Sequence, residues 1–311
     1  MTSEQAFKLT QAMHTLYYPR IRNLPLPAGH RFPGGKYRML LERFEARPLD
    51  NMRLDASPLA NRTLLMKAHD AAYVDAMLSG AVTSAAMKRI GLPWSEVLMQ
   101  RSRATVGGTL AAARAALVSG FSGQLAGGTH HAHKGHGSGF CVFNDIAVAA
   151  LVLLEEGIVA RIAVLDLDVH QGDGTAAVLR DEPRAFTCSV HGAGNFPFEK
   201  ATSSKDVALA TGTGDAAYLT AVNEALSAVL AFDPDLVFYL SGADALASDR
   251  LGRLEVSAEA LRVRDGLVFS TLNEIGIACA VAVGGGYADP IEATVDVYEA
   301  TFREAARIFV G

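Results

Sequence analysis

The run Ile162-Ala-Val-Leu-Asp-Leu-Asp-Val-His170 begins as a buried-strand pattern and ends in two acids and an imidazole. Its first part, residues 162–167, is mostly apolar, which is typical of a strand covered on both faces. Similar stretches occur at residues 185–190, 236–240 and 277–283. Helical patterns precede, separate and follow these strands, at residues 106–118, 145–156, 217–232, 258–275 and 290–310. This alternation predicts an α/β fold in which helices cover both faces of a parallel sheet.

The composition excludes several classes of protein. The chain has 311 residues, of which 50% are hydrophobic and 20% charged, with a formal net charge of -5, so it can bury enough surface to fold. It has no run of Lys and Arg, which argues against direct nucleic-acid binding. Cys141, Cys188 and Cys279 lie among apolar residues and indicate buried thiols in a reducing compartment.

The start of the chain and its apolar runs bear on location. Residues 1–14 carry polar and acidic side chains where a signal peptide would need an apolar core. No apolar run reaches the length of a membrane span. We therefore expect a cytoplasmic protein without membrane contact.

Four polar clusters follow apolar runs, and they indicate where a ligand would bind. In an open parallel sheet, ligands bind beyond the carboxyl ends of the strands, so we expect these clusters to meet at one edge. They are His130–His131, Asp166–His170, Asp244 and Gly284–Tyr287. Residues 127–139 and 191–214 are rich in Gly, Ser and Thr and are predicted to be long loops without strand or helix.

The pentapeptide from Asp166 to His170 suits a metal ion. Its polar residues occupy every second position, so in an extended backbone all three side chains point to the same side. A divalent cation is the simplest way to hold buried carboxylates ionised. Asp244 can add a third ligand and leave a fourth position open, as in catalytic zinc sites. The alternatives are that Asp168 caps a helix, His170 is a buried structural histidine and Asp244 forms a turn.

Adjacent histidines in a glycine-rich loop suit proton transfer. His130 and His131 can converge on one substrate only if the backbone is irregular, which the preceding glycines allow. Histidine can act as base and then as acid near neutral pH, with a carboxylate fixing its tautomer. For His133 and His136 we favour exposure to solvent, whereas His14, His69 and Trp94 are expected to be structural.

Five segments, in this order, resemble the motif set of the zinc-dependent histone deacetylase family, which includes acetylpolyamine amidohydrolases. They are Gly127-Gly-Thr-His-His131, Ser138-Gly-Phe-Cys-Val-Phe-Asn-Asp145, Asp166-Leu-Asp-Val-His-Gln-Gly-Asp-Gly-Thr175, Ser241-Gly-Ala-Asp244 and Gly284-Gly-Gly-Tyr287. Two more segments most resemble class IV histone deacetylases and their bacterial relatives, namely His30-Arg-Phe-Pro-Gly-Gly-Lys-Tyr37 and His191-Gly-Ala-Gly-Asn-Phe-Pro-Phe198. The resemblance implies a three-layer αβα arginase/deacetylase fold with a single, mainly parallel, eight-stranded sheet, in one deacetylase domain over residues 1–311.

The same resemblance implies a metal and a pair of proton carriers. Asp168, His170 and Asp244 would be the ligands of one Zn²⁺ ion, although ligand types alone leave iron(II) open. His131 would be the general base for the attacking water, and His130 its acid or electrostatic partner.

Further roles are implied for the residues around them. Asp166 would orient His130, Asp173 would orient His131, and Tyr287 would donate its hydroxyl to the developing oxyanion. The tunnel for an acyl-lysine stem would involve Phe140, Cys141, Phe196, Gly139 and Gly286.

The number of metal ions can be addressed from the sequence. Arginases resemble this fold but use two metal ions, which needs further carboxylates where this chain has Gly172 and Leu246. A single catalytic ion is therefore the better interpretation. The resemblance also implies a structural K⁺ near Asp166, Asp168, His170 and Ser189, although Ser189 is equally consistent with an ordinary strand residue.

The implied activity is removal of acetyl groups, or of longer acyl groups, from acylated lysine or a related acylated amine. One alternative is a deacetylase of acetylpolyamines or other small molecules. Another is a protein that binds acyl-lysine without turnover. Such a binder would be expected to lose a ligand, a histidine or Tyr287, and this chain has them all.

Overall fold

Eight strands form one sheet in the computed structural model, which describes residues 13–310. The stretch considered above for a signal peptide lies outside the described residues except at its end. The strand order is β2-β1-β3-β8-β7-β4-β5-β6, and every neighbouring pair is parallel. The strands are β1 (His14–Tyr18), β2 (Met52–Ala56), β3 (Phe121–Gln124), β4 (Ile162–Asp166), β5 (Ala185–Gly192), β6 (Lys205–Leu209), β7 (Leu236–Ser241) and β8 (Ala278–Val283).

Helices cover both faces of the sheet. Within residues 13–310 they are α1 (Lys36–Ala46), α2 (Arg62–Leu65), α3 (Ala71–Ser79), α4 (Ser84–Ile90), α5 (Glu96–Ser119), α6 (Asp145–Glu155), α7 (Asp173–Leu179), α8 (Asp215–Ala231), α9 (Ala258–Glu274) and α10 (Glu292–Phe309). One hydrophobic core joins the sheet to α1, α8, α9 and α10, and a second joins it to α2 through α7. Val237 and Tyr239 of β7 belong to the first core and Phe238 to the second, as strand alternation requires. The three-layer αβα fold is thus confirmed.

The register of the central strands brings their carboxyl ends to one level. Asp166 of β4 pairs with Leu240 of β7, Leu240 with Ala282 of β8, and Ala282 with Gln124 of β3. The segments that follow these four strands contain the four polar clusters noted in the sequence. Because parallel strands end together, residues far apart in the chain meet at this edge.

The structure corrects one prediction about the long loops. Residues 191–214 are not free of regular structure, because β5 continues to Gly192 and β6 occupies Lys205–Leu209. The strand β6 lies at the edge of the sheet and none of its residues is fully buried, so it lacks the apolar run of a central strand. Residues 127–139 contain neither strand nor helix, as predicted.

Helix α5 begins well before the predicted start at residue 106. Its amino terminus is capped by the Ser95 hydroxyl, which accepts a hydrogen bond from the Leu98 amide at 3.1 Å. The polar run from Gln100 to Arg103 interrupts the apolar pattern and hides the first turns. Among residues 13–310, no helix is both long enough and apolar enough to cross a membrane. The three cysteines are buried and free, as expected.

Candidate metal centre

Asp168, His170 and Asp244 meet beyond the ends of β4 and β7. Each offers one ligand atom, and these atoms all lie within 4.8 Å of one another. His170 Nδ1 is 3.0 Å from Asp168 Oδ1 and 3.0 Å from Asp244 Oδ2. Both carboxylates are fully buried. The chain therefore places two acids and an imidazole around one point.

The charge balance of these residues fits a divalent cation. Within residues 13–310, neither Asp168 nor Asp244 forms an ion pair with a lysine or arginine. Burial, together with the charge of Asp168, raises the pKa of Asp244 to about 7. Buried carboxylates this close are costly to ionise unless a cation compensates them. Mixed carboxylate and imidazole donors suit Zn²⁺.

The backbone leaves room for this arrangement only because of glycine. The Gly285 amide donates a hydrogen bond to Asp168 Oδ2. A Cβ atom at Gly285 would overlap Asp244 Oδ2 and would lie 2.8 Å from Asp168 Oδ2. The glycine-rich segment after β8 therefore closes over the two acids without a side chain.

Two histidine–aspartate pairs lie beside the acids. His130 Nδ1 donates to Asp166 Oδ2 at 2.7 Å, and His131 Nδ1 donates to Asp173 Oδ1 at 2.6 Å. The two imidazole centroids are 4.1 Å apart. Adjacent residues of a regular strand would point their rings in opposite directions, so this contact requires the irregular backbone of the preceding loop.

Asp145, at the start of α6, fixes that loop. Its carboxylate accepts hydrogen bonds from the backbone amides of Thr129 at 2.8 Å and Gly128 at 3.1 Å. Gly127 and Gly128 have φ values of 101° and 64°, in the region that favours glycine. Nothing local in the sequence reveals this contact between Asp145 and a loop earlier in the chain.

The environment shifts the pKa values of the two histidines in opposite directions. Burial lowers the pKa of His130, but the charges of Asp166 and Asp168 outweigh it and raise that pKa to about 9. Burial and the charge of His130 lower the pKa of His131 to about 4. In the metal-free protein, these shifts favour a charged His130 and a neutral His131 near neutral pH. A pair of titratable groups held apart in this way is typical of an acid and a base.

A third histidine joins this network and corrects a prediction. His133 Nε2 donates to the second oxygen of Asp173 at 3.0 Å, and its ring stacks on His136 with centroids 4.6 Å apart. Both side chains are half-buried rather than exposed. The prediction was wrong because Asp173 turns its second oxygen toward this loop. One signal of this network was present in the sequence, namely the high histidine content of the loop.

A cavity of about 690 Å³ leads from the surface to the histidines and to Asp168 and His170. Phe196 meets the His131 ring edge to face at 4.9 Å. The predicted tunnel residues on its wall are Gly139, Phe140, Cys141 and Phe196, together with Tyr287. Gly286 does not line it.

A buried lysine that sequence reasoning missed lies behind Tyr287. Lys36 Nζ donates to the Gly286 carbonyl at 3.0 Å and to the Tyr298 hydroxyl at 3.1 Å. It is 4.9 Å from the centroid of the Tyr287 ring. Burial lowers the pKa of Lys36 to about 8, whereas burial raises the pKa of Tyr287 well above its usual value. The tyrosine hydroxyl therefore keeps its proton and remains a hydrogen-bond donor.

His69 is structural, as predicted. Its Nδ1 donates to the His133 carbonyl at 2.9 Å, and its Nε2 accepts the Asn144 amide at 2.9 Å. It therefore joins the two ends of the segment that carries His133 and the tunnel wall.

Comparison with known families gives one match over most of the chain. A family model described as "Histone deacetylase domain" matches residues 30–304. A solved structure, the HDA15 HD domain, matches with a TM-score of 0.78 and 22% sequence identity. The match covers 96% of this chain and 88% of the HDA15 chain. At that identity the structural likeness concerns the fold.

Several curated proteins are similar in sequence. An uncharacterized protein of Picosynechococcus sp. is 41% identical over 290 residues, which are 92% of this chain and 96% of that protein. Histone deacetylase 2 of Arabidopsis thaliana is 34% identical over 60% of this chain and 49% of its own length. The acetoin utilization protein AcuC of Bacillus subtilis is 33% identical over 66% of this chain and 55% of its own length. The matches cover about half the length of these last two relatives.

Proposed function

Because the chain belongs to the histone deacetylase family, we propose that it is a zinc-dependent amidohydrolase that removes acetyl or longer acyl groups from acylated lysine or a related acylated amine. The convergence of Asp168, His170 and Asp244 beside two histidine–aspartate pairs carries this proposal. We also propose that residues 1–311 form one deacetylase domain.

In this proposal Asp168, His170 and Asp244 hold one Zn²⁺ ion. When bound, the ion polarises the acyl carbonyl and lowers the pKa of a coordinated water. Gly172 and Leu246 supply no further carboxylate, which supports a single ion rather than two.

His131 serves as the general base. Its neutral imidazole can take a proton from the attacking water through Nε2, because Nδ1 is held by Asp173. The Asp173 carboxylate then stabilises the imidazolium that forms. Carbon–oxygen bond formation is thus coupled to proton transfer onto the chain.

His130 serves as the electrostatic and acid partner. Its charge, maintained by Asp166, favours the negative charge that develops on the acyl oxygen. When the carbon–nitrogen bond breaks, the imidazole pair returns a proton to the leaving nitrogen. The released acid then ionises and the amine takes up its proton. The products at neutral pH are therefore a carboxylate and an ammonium group, and atoms and charge balance.

Tyr287 and the cavity walls position the acyl group. The Tyr287 hydroxyl donates to the oxyanion, and loss of such a donor typically lowers turnover by ~10²- to 10³-fold. Phe140 and Phe196 provide apolar walls for an alkyl stem, and Cys141 remains a thiol because burial raises its pKa well above normal.

Two further assignments accompany this function. We propose a structural K⁺ near Asp166, Asp168, His170 and Ser189, supported by the pairing of buried Asp166 with buried Ser189 on β4 and β5. We also propose a reducing, cytoplasmic setting, which the three free and buried cysteines support.

Acetate release from an acetyl-lysyl peptide tests the proposed function. Zinc-loaded protein is expected to release acetate and free lysine, chelation to abolish release, and Tyr287→Phe to reduce it by ~10²- to 10³-fold with the metal retained. Full zinc loading without turnover of any acylated lysine or amine would contradict the proposal and favour a binding protein.

A further inference from the structure

Positive charge is concentrated at the outer end of the cavity. Arg31, Arg89 and Arg253 all line it and are all exposed, and we call these three residues the arginine rim. They come from three separate parts of the chain: the segment before α1, the end of α4 and the loop after β7. A fourth lining arginine, Arg250, donates to the Tyr287 carbonyl at 3.3 Å.

No acidic residue offsets this charge at the surface of the cavity. Among the described residues, the only carboxylate on the cavity wall is the buried Asp168. Beside the wall, the exposed Glu199 and its neighbour Lys200 carry opposite charges, so the excess of positive charge comes from the lining arginines. The chain as a whole has a formal net charge of -5, so the cavity mouth is opposite in sign to the molecule.

The arginine rim differs from several exposed arginines elsewhere on the surface. Arg22, Arg38 and Arg62 each form an ion pair with a nearby carboxylate, at 2.7, 2.8 and 2.6 Å. Within residues 13–310, no side chain of the arginine rim forms a hydrogen bond or an ion pair. Three guanidinium groups are therefore free to bind a ligand at the entrance.

Unpaired arginines around an apolar cleft attract anions and repel cations. Clefts lined by one sign of charge focus the field and raise the local concentration of a complementary ligand. The guanidinium group suits carboxylate and phosphate oxygens in particular, because its N–H groups form a planar fork. A polycationic amine would have to cross this region against repulsion.

We propose that the substrate is an acylated amine whose outer part, beyond the tunnel, is anionic, and that the arginine rim binds this part. This inference rests on the proposed function. It favours an acyl-lysine flanked by acidic residues, or a small acylated amine that carries a carboxylate, over acetylpolyamines and lysine-rich tails.

The test compares acetyl-lysyl peptides of equal length with acidic, neutral or basic flanks, together with free Nε-acetyl-lysine and N-acetylputrescine. We expect kcat/KM to be at least about tenfold higher for acidic than for basic flanks, mainly through KM, because several exposed charge pairs act together. The ratio should fall as salt is raised from 0.05 to 0.5 M, since screening weakens exposed charges (about 10 Å Debye length at 0.1 M). N-acetylputrescine should be the poorest substrate.

Charge reversal identifies the residues responsible. The double variant Arg89→Glu/Arg253→Glu should lose the preference for acidic flanks or reverse it. The matched control is Arg180→Glu, an exposed arginine at the end of α7 that does not line the cavity, and it should keep the wild-type preference. An acidic preference that survives in the double variant, with thermal unfolding unchanged, would overturn the assignment.

The experiment separates this inference from the proposed function. Equal turnover of acidic and basic peptides would overturn the inference and leave the deacetylase activity standing. If no peptide is turned over, the proposed function fails. Fluorescence anisotropy of labelled acidic and basic acetyl-lysyl peptides then still tests binding by the arginine rim. Tighter binding of the acidic peptide supports the inference, and equal binding overturns it. Turnover of free Nε-acetyl-lysine above the acidic peptide would indicate a small substrate that carries a carboxylate. The reverse order would indicate a protein substrate.

Discussion

At the scale of single residues, Asp173 links two histidines of the site. It accepts hydrogen bonds from His131 at 2.6 Å and from His133 at 3.0 Å. Burial raises the pKa of Asp173, but the bonds from the two histidines outweigh it and hold that pKa well below the usual value. His133 therefore reaches the proposed base only through Asp173 and is a positioning residue.

Replacement of His133 by phenylalanine should lower turnover without abolishing it, because Asp173 loses one of the two hydrogen bonds that position its carboxylate. We expect kcat to fall by about fivefold to thirtyfold, because a charge-assisted hydrogen bond to Asp173 is worth ~1–2 kcal/mol. Asp173 would then hold the His131 proton more strongly, so the acid limb of the pH–rate profile should move to higher pH. Steady-state kinetics across pH measure both effects, with zinc content as a check.

His136→Phe is the matched control for this prediction. It preserves an aromatic ring against His133 and leaves both hydrogen bonds to Asp173 in place. If His133→Phe and His136→Phe gave the same rates and the same pH profile, His133 would have no positioning role.

At the scale of elements, helix α5 packs unusually close to the sheet. A Cβ atom at Gly107 would overlap the Pro58 carbonyl oxygen, and one at Gly108 would overlap Gln124 Oε1. The same helix carries Thr109, whose hydroxyl donates to Asp145 Oδ2 at 2.6 Å. Because Asp145 holds the histidine loop, the close approach of α5 also supports the site.

Gly107→Ala should destabilise the protein even though alanine favours helices. Overpacking of a close contact costs ~1–3 kcal/mol, more than the ~1 kcal/mol that alanine gains in helix propensity. The free energy of unfolding in urea measures the balance, and we expect it to decrease.

Gly266→Ala in α9 provides the comparison. There the nearest atom to a new Cβ is the end of the Glu304 side chain, at 2.9 Å, which can move. This variant should be neutral or slightly stabilising. A Gly107→Ala protein as stable as Gly266→Ala would refute the close packing of α5.

The elements that the sequence predicts well are those with a recognisable local pattern. The central strands β4, β5, β7 and β8 are covered by helices on both faces and therefore appear as apolar runs. The strands β1, β2, β3 and β6 were not predicted from the pattern. Three are edge strands or their neighbours, and β3 (Phe-Ser-Gly-Gln) has almost no apolar character although it is buried. Its position depends on tertiary contacts that no local pattern encodes.

The site residues likewise divide into those that a local pattern predicts and those that only tertiary contacts bring together. Residues that share one motif, such as Asp166, Asp168 and His170, could be grouped from their spacing. The meeting with Asp244 followed from the rule for parallel sheets. Lys36 and the second contact of Asp173 could not be predicted, because each depends on a side chain crossing between segments far apart in sequence.

At the scale of the whole molecule, His69 links the helical layer to the loops of the site. Burial lowers its pKa to about 4 from 6.5, while the His133 and Lys134 carbonyls and Asp70 act in the opposite direction. The unfolded chain therefore binds a proton at higher pH than the folded chain does. Folding stability should decrease as the pH falls from 6.5 toward 4.

This contribution should be visible in unfolding experiments. The decrease due to His69 alone amounts to about 3 kcal/mol over that range, since each unit of pKa shift corresponds to ~1.4 kcal/mol. His69→Gln should be less stable at pH 7 and should lose less stability on acidification. Urea unfolding of both proteins from pH 7 to pH 4 measures the difference, and parallel curves would show that His69 does not titrate on unfolding.

The metal site at the edge of the sheet is tested most directly by metal stoichiometry, measured by inductively coupled plasma mass spectrometry after zinc loading and desalting. We predict one zinc ion per chain in the wild type, almost none in Asp244→Asn, and one in Asp173→Asn, whose side chain orients a histidine and does not belong to the metal group. No zinc in the wild type, two ions per chain, or undiminished zinc in Asp244→Asn would contradict a single site formed by Asp168, His170 and Asp244.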